Sequence, residues 1–135
     1  MRNNDKLIKK LIAISGNDFI ITSKWNKKSY SKGWRYGEGE VLAVAKPATL
    51  LEIWKILMIC VESDVIIIMQ AANTGLTGGS TPSGNDYDRP IIIISTLRID
   101  NIHVINEGKQ IIGFPGSTLF VLEDKLSAFV GEPDA

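Results

Sequence analysis

The chain has 135 residues, of which 44% are hydrophobic, and its formal net charge at pH 7 is zero. This length predicts a single domain, and this hydrophobic content is sufficient for a buried core. No apolar run approaches the ~18–20 residues that span a membrane, and no stretch behind the polar N-terminus is long enough for a secretory signal. The single cysteine, Cys60, excludes an internal disulfide, and its apolar surroundings in the sequence predict a buried side chain.

The charges are distributed unevenly along the chain. Residues 1–46 carry a net charge of +6, and residues 47–135 carry −6. Part of the basic excess is a cluster of lysines interleaved with aromatic residues, namely Lys24, Trp25, Lys27, Lys28, Tyr30, Lys32 and Trp34. Such a cluster is typical of a surface that binds lipid headgroups or single-stranded nucleic acid, and no nucleic-acid motif accompanies it. A solvated helix face is the alternative interpretation, which we favour for Lys6, Lys9 and Lys10.

The N-terminal third predicts one helix and one strand. Apolar residues at helical spacing predict a helix over residues 6–15, which Asp5 caps and Gly16 ends. Residues 17–40 show no regular apolar pattern, so we expect a mostly irregular segment. Residues 41–45 are a short apolar strand candidate.

The next segment predicts a βαβ unit. Thr49-Leu-Leu-Glu52 matches a capping box, which begins a helix. The apolar residues expected on its buried face are Leu50, Ile53 or Trp54, Leu57 and Val61. The almost unbroken apolar run 65–69 predicts a buried strand, and the crossover between the two parallel strands should be right-handed.

The C-terminal half predicts further strands and a last helix. Residues 91–95 form a second buried strand, and residues 102–105 and 110–114 flank a hairpin turn at 106–109. A helix follows Pro115-Gly-Ser-Thr118. Its expected apolar face and end are marked by Leu119, Leu122, Leu126, Phe129 and Gly131. The elements together predict an α+β fold with a four- or five-stranded sheet and flanking helices.

The loop after the strand 65–69 carries the strongest functional signal. Three glycines within five positions, Gly75, Gly78 and Gly79, leave its backbone uncovered by side chains. Successive free N–H groups in a tight turn form a concave anion site, so the loop predicts a phosphate or pyrophosphate site. A long surface turn is the alternative. The loop lacks both the P-loop lysine and the Gly-x-Gly-x-x-Gly pattern, so neither of those nucleotide motifs is indicated.

At these residues the sequence resembles a known family. The stretch 69–89, continuing into 91–98, is similar to the FAD-binding region of bacterial quinone-dependent D-lactate dehydrogenases, which are flavoproteins with an FAD domain of the p-cresol-methylhydroxylase (PCMH) type. The similarity extends upstream and downstream to residues 32–39, 47–54, 113–119 and 131–133.

The resemblance implies a cofactor and a site. It implies that residues 1–135 form the N-terminal part of a PCMH-type FAD-binding domain. The pyrophosphate of FAD would lie against Ala71, Ala72, Asn73, Thr74, Gly75, Gly79 and Ser80. Some related flavoenzymes bond FAD covalently to a histidine or cysteine near this loop. Residues 70–80 contain neither, which implies non-covalent FAD.

The resemblance also implies a reaction, which is oxidation of D-lactate to pyruvate with electron transfer to quinone. The enzyme would act as a peripheral protein on the cytoplasmic side of the inner membrane. The resemblance therefore favours an anionic membrane as the partner of the basic cluster. The family's FAD domain continues past the position of Ala135 and is followed by a substrate domain. We therefore expect the 135-residue chain to be an inactive N-terminal fragment. A folded binding lobe without cofactor is the alternative.

Other chemistry-bearing residues have structural interpretations. His103 is predicted to be a strand residue and not a base or metal ligand. Asp86 and Asp88 lie in a Gly/Asn-rich turn, where aspartate mainly caps backbone groups, and no metal site is predicted. Arg35 could hold a phosphate or a carboxylate with its planar fork. A surface arginine stacked on Trp34 is the alternative.

Overall fold

The computed structural model describes residues 2–130, which form four α-helices and two β-sheets. The helices are α1 (Arg2–Ser15), α2 (Lys24–Ser31), α3 (Leu50–Glu62) and α4 (Leu119–Val130). The strands are β1 (Ile20–Ile21), β2 (Ala43–Ala45), β3 (Ile66–Gln70), β4 (Ile91–Ser95), β5 (Ile102–Ile105) and β6 (Gln110–Gly113).

The larger sheet has the strand order β1-β2-β4-β3. Strands β2 and β3 are both parallel to β4, and β1 is antiparallel to β2. The predicted β2–α3–β3 unit is therefore present, but β4 lies between its two strands. All five residues of β4 are buried, as expected for a central strand covered on both faces. The hairpin β5–β6 forms a separate sheet, so the larger sheet has four strands and not five.

The core has two parts, one on each face of this sheet. On the first face, α1 and α3 pack against β2 and β4. The buried residues there include Leu7, Leu11, Ala43, Ala45, Ile56, Cys60, Ile92 and Ile94. The second face contains Val41, Val44, Ile91 and Ile93, with Tyr30 of α2 packed against them. Burial raises the pKa of the Cys60 thiol to about 11, so Cys60 is a protonated apolar side chain, as predicted.

The capping box of α3 is confirmed. The backbone N–H of Glu52 donates to Thr49 Oγ1 at 3.1 Å, and the Glu52 carboxylate accepts from the N–H of Ala48 at 3.1 Å. The predicted buried face of this helix is partly wrong, because Leu50 and Val61 are exposed. Since α3 is apolar around most of its circumference, helical spacing alone does not identify the face that meets the core.

The predicted irregular segment 17–40 is wrong at β1 (Ile20–Ile21), whose two residues are too few to show a strand pattern, and in its centre, where α2 lies. Ser23 caps this helix by accepting from the N–H of Asn26 at 3.2 Å. Most of its residues are polar, and a short polar helix has no apolar stripe by which to recognise it. Helix α1 begins at Arg2, so Asp5 lies within it and does not cap it. Gly16 follows its last residue with φ at +88°, as a helix-ending glycine does.

The C-terminal elements follow the prediction closely. The hairpin β5–β6 turns at residues 106–109, and α4 has Leu122 and Leu126 half-buried. Leu119 and Phe129 of the same predicted face are exposed. Gly131, the predicted end of α4, lies outside the described residues. None of the helices in the described range is long and apolar enough to cross a membrane.

Candidate functional site

The candidate site lies where the parallel strands end. Strand β3 ends at Gln70, and a long loop then leads to β4, which begins at Ile91. In sheets with parallel strands, ligands bind outside the carboxyl ends of those strands. The predicted site residues 71–80 therefore begin at the edge where ligands are expected.

Gln70 holds both ends of the loop segment 71–80 in place. Its side chain is only 3% exposed. Its amide nitrogen donates to the carbonyl oxygen of Tyr30 at 2.8 Å and to that of Ser80 at 2.9 Å. The Gln70 carbonyl oxygen accepts from the N–H of Thr96 at 2.8 Å. One buried side chain thus joins β3, the far end of the loop and α2.

Two predicted site residues hold the loop in shape with their side chains. Asn73 Nδ2 donates to the carbonyl oxygen of Lys32 at 2.7 Å, and Ser80 Oγ donates to Asn73 Oδ1 at 2.8 Å. Asn73 has φ at +55°, a conformation that asparagine tolerates well. Both side chains are therefore engaged within the protein. The loop backbone and the exposed side chains of Thr74 and Thr77 remain accessible to a ligand.

The loop backbone has unused donors. Among the residues that the structure describes, none accepts a hydrogen bond from a backbone N–H between Ala72 and Thr81. A Cβ added at Gly75 would meet nothing within 4 Å, and one added at Gly79 would meet only Thr77 Oγ1 at 4.0 Å. Neither glycine has a positive φ. The fold itself therefore does not require glycine at these two positions, whereas a ligand that approaches the backbone closely would.

The seven predicted site residues lie together in this loop. Those that are exposed are Ala71, Ala72, Thr74, Gly75 and Gly79, and those that are half-buried are Asn73 and Ser80. Their surface can receive an anion through backbone N–H groups, and it contains no side chain that ionises.

Residues 32–38 form a tongue that lies beside the loop. Its two ends pair through an isolated bridge between Lys32 and Glu38, and the N–H of Gly33 donates to the carbonyl oxygen of Gly37 at 2.8 Å. Arg35 is exposed on the tongue, with its guanidinium 5.6 Å from the centre of the Tyr36 ring. The aromatic neighbour that Arg35 contacts is therefore Tyr36, where the sequence suggested Trp34.

An open cleft of about 710 Å³ lies between α2, the tongue and the loop. Its lining residues are Trp25, Asn26, Lys28 and Ser29 from α2, Lys32, Gly33 and Trp34 from the tongue, and Ala72 and Asn73 from the loop. Sequence reasoning missed this cleft because it missed α2. The spacing of Trp25, Lys28 and Ser29, which places them on one helix face, was the available signal.

Lys27 does not belong to the exposed basic cluster. It lies on another face of α2, and its ammonium group donates to the carbonyl oxygens of Val41 at 2.6 Å and Leu42 at 3.3 Å. Burial lowers the pKa of Lys27, although the nearby Glu40 carboxylate opposes this shift. The prediction that all four lysines share one surface is therefore wrong at this position.

Two of the remaining candidates contact other side chains of the protein. His103 is exposed on β5, and its ring meets Phe114 edge-on at 5.6 Å. Asp88 forms an ion pair with Arg89 at 3.2 Å, and Arg89 also reaches Asp64 at 2.9 Å. Within residues 2–130, no three His, Cys, Asp or Glu side chains converge to hold a metal ion.

Solved structures with a similar architecture identify the class of fold. The chain superimposes on p-cresol methylhydroxylase with a TM-score of 0.79, covering 95% of this chain and 25% of that enzyme at 19% identity. It superimposes on alkyldihydroxyacetonephosphate synthase with a TM-score of 0.77 at 15% identity, covering 92% of this chain and 25% of that chain. At these identities the likeness shows the fold alone. The fold is that of a PCMH-type FAD-binding lobe.

Proteins with similar sequences are more specific than the fold about the kind of flavoprotein. The chain is 56% identical over 128 residues to the quinone-dependent D-lactate dehydrogenase of Haemophilus influenzae, and 48% identical over 131 residues to that of Escherichia coli. These alignments cover 95% and 97% of this chain and 23% of each relative. No family model matches the chain. The chain is homologous to the N-terminal region of the quinone-dependent D-lactate dehydrogenases and spans about a quarter of their length.

The anchoring role of Gln70 leads to a first prediction. In Gln70→Glu the buried side chain would either face two carbonyl oxygens as a carboxylate or take up a proton and donate to only one of them. In either state at least one carbonyl oxygen loses its donor, so we expect the free energy of unfolding to fall by about 1–3 kcal/mol. Chemical denaturation followed by circular dichroism measures this loss. Gln110→Glu on the exposed strand β6 is the matched control, with an expected effect within about 0.5 kcal/mol. Equal stability of the two variants would contradict the anchoring role.

Proposed function

We propose that this chain supplies the wall of an FAD site that holds the pyrophosphate, in a respiratory flavoenzyme that oxidises D-lactate and reduces quinone. The observation that carries the proposal is the row of loop N–H groups without acceptors, placed at the carboxyl edge of the parallel strands. A pyrophosphate carries negative charge and several acceptor oxygens, and such oxygens bind successive backbone N–H groups. Homology to quinone-dependent D-lactate dehydrogenases supports the choice of cofactor and reaction.

The seven loop residues have different roles in this proposal. Gly75 and Gly79 admit close approach of the phosphate oxygens, because no Cβ covers the backbone there. Ala71, Ala72 and Thr74 contribute backbone N–H groups, and the small side chains of the alanines leave these groups accessible. Asn73 and Ser80 keep the loop in shape through their mutual hydrogen bond. No side chain in the loop forms a covalent bond to the cofactor, which is held non-covalently.

The chemistry belongs to the cofactor, and this chain binds and orients it. FAD, when bound, takes up the electrons that D-lactate loses on becoming pyruvate. The residues described here hold the pyrophosphate and so fix the position of the rest of the molecule. Cofactors of this size bind in clefts between lobes or domains, and this chain spans 23% of its relatives. We therefore expect the 135-residue chain alone to bind FAD weakly or not at all and to reduce no dye with D-lactate.

The loop can be tested by a single substitution. In Gly75→Val the side chain would enter space that is empty in the protein, so we expect unchanged folding and at least a tenfold loss of FAD affinity, about 1.4 kcal/mol. Isothermal titration calorimetry measures the affinity, and thermal denaturation checks the fold. Thr22→Val, an exposed substitution away from the loop, is the control.

Unchanged FAD affinity in Gly75→Val would remove the loop from the cofactor site. Absence of any FAD binding by the unmodified chain, at millimolar concentration, would favour a folded lobe that binds no cofactor by itself.

We also propose that α2 and the tongue rest on an anionic membrane, at the cytoplasmic side of the inner membrane. Trp25 is 82% exposed and Trp34 is 77% exposed, and tryptophan at the surface is typical of membrane–water interfaces. Lys24, Lys28 and Lys32 are exposed near them. Each lysine near an anionic surface contributes about 1 kcal/mol of attraction. Peripheral attachment of this kind requires no helix that spans the membrane.

Vesicle binding tests the membrane proposal. We expect the chain to bind vesicles containing anionic lipid and to bind less at high salt, because salt screens surface charge. The triple variant Lys24→Gln, Lys28→Gln, Lys32→Gln should bind at least tenfold more weakly. The matched control replaces Lys6, Lys9 and Lys10 of α1 with glutamine and should bind like the unmodified chain. Equal binding to neutral and anionic vesicles in a sedimentation assay would contradict the electrostatic attachment.

A further inference from the structure

The cleft between α2, the tongue and the loop differs from the rest of the surface in what lines it. Two tryptophans, Trp25 and Trp34, contribute flat apolar faces, and two lysines, Lys28 and Lys32, contribute ammonium groups. Within the described residues, Lys28 and Lys32 accept hydrogen bonds only through their backbone carbonyl oxygens, and the four side chains form no hydrogen bond or ion pair. They are therefore free to contact a ligand that is both aromatic and rich in hydrogen-bond acceptors.

We propose that this cleft binds the head group of the quinone that accepts the electrons. The inference rests on the proposed function, which names quinone as the electron acceptor. A quinone head group is a flat ring with two carbonyl oxygens. Indole rings stack on flat rings, and lysine ammonium groups donate hydrogen bonds to carbonyl oxygens. On reduction to quinol, the quinone takes up the two electrons and two protons that D-lactate loses on becoming pyruvate.

The cleft adjoins the proposed pyrophosphate site. It touches the loop at Ala72 and Asn73, which belong to both sites, whereas Gly75 and Gly79 do not line it. The two sites would therefore meet at Ala72 and Asn73. Asn73 links them, because its side chain bonds to Lys32 on the tongue and to Ser80 at the far end of the loop.

The surroundings of the cleft favour a ligand that is dissolved in lipid. The cleft is open, and its tryptophans belong to the surface proposed above to rest on the membrane. A quinone that diffuses in the bilayer would reach the cleft from that surface without crossing water.

The three tryptophans of the chain provide a direct test. Trp54 lies on the outward face of α3, is 58% exposed and does not line the cleft, so it is an internal control for non-specific binding. The probe is menadione, which is 2-methyl-1,4-naphthoquinone. Its control is 2-methylnaphthalene, which has the same ring system without carbonyl oxygens. Proton–nitrogen correlation spectra of the 135-residue chain then follow the three indole N–H signals, assigned by Trp→Phe variants.

We expect menadione to shift the signals of Trp25 and Trp34 until they saturate and to leave the signal of Trp54 unchanged. The double variant Lys28→Gln, Lys32→Gln should raise the dissociation constant about tenfold, as expected for the loss of charged hydrogen-bond donors. Lys6→Gln, Lys9→Gln on α1 should leave it unchanged. The naphthalene should bind more weakly than menadione by a similar factor. Cys60 is buried and protonated, so thiol addition to the probe does not compete.

Three results would overturn the inference. Equal shifts of all three indole signals would show non-specific binding. Equal affinity for menadione and 2-methylnaphthalene would show an apolar or lipid contact only. Displacement of menadione by FAD would assign the cleft to the cofactor. Since the titration with menadione contains no FAD, a failure of the pyrophosphate site does not affect its outcome.

Discussion

The buried amide of Gln70 is the interaction on which the candidate site depends. A buried amide group that lacks hydrogen-bond partners is costly, and this one satisfies its nitrogen by bonding to Tyr30 and Ser80. These two bonds place the end of α2 and the far end of the loop against the last residue of β3. The loop between them needs no further internal backbone bonds to keep its position, and its N–H groups stay available to a ligand.

Two elements of the fold, strand β4 and helix α2, determine the position of the Gln70 side chain. Strand β4, buried along its whole length, aligns the carboxyl ends of β2 and β3 on either side of it. Helix α2 then presents different residues on its different faces. Tyr30 packs on the sheet and Lys27 bonds to the carbonyl oxygens of Val41 and Leu42, so that Trp25 and Lys28 face outward into the cleft. Helix α2 therefore covers one face of the sheet with Tyr30 and contributes Trp25 and Lys28 to the cleft.

Most of the fold and part of the site could be predicted from the sequence. Long apolar runs located β3 and β4, the capping box located α3, and the glycine-rich composition located the loop. The prediction that the first of these strands is buried is wrong for most of β3, because β3 lies at the sheet edge with Ile66, Ile67 and Ile68 half-buried and Met69 exposed. Helix α2 was missed because its residues are mostly polar, and the cleft and the inward orientation of Lys27 were missed with it. The bonds from Gln70 to Tyr30 and from Asn73 to Lys32 join residues that are 40 and 41 positions apart in the chain. Periodicity and local motifs carry no information about such distant partners, since these depend on tertiary packing.

The central claim is that the loop backbone, and not a side chain or an aromatic contact, recognises the diphosphate of FAD. Titration of the nitrogen-15-labelled chain with ADP and with riboflavin tests it most directly, because ADP contains the diphosphate and riboflavin contains only the ring and its sugar alcohol. We expect ADP to shift the backbone amide signals of residues 72–81 until they saturate, and riboflavin to leave them unchanged. Shifts of these amides by riboflavin, or ADP shifts that fall elsewhere in the chain, would contradict the account.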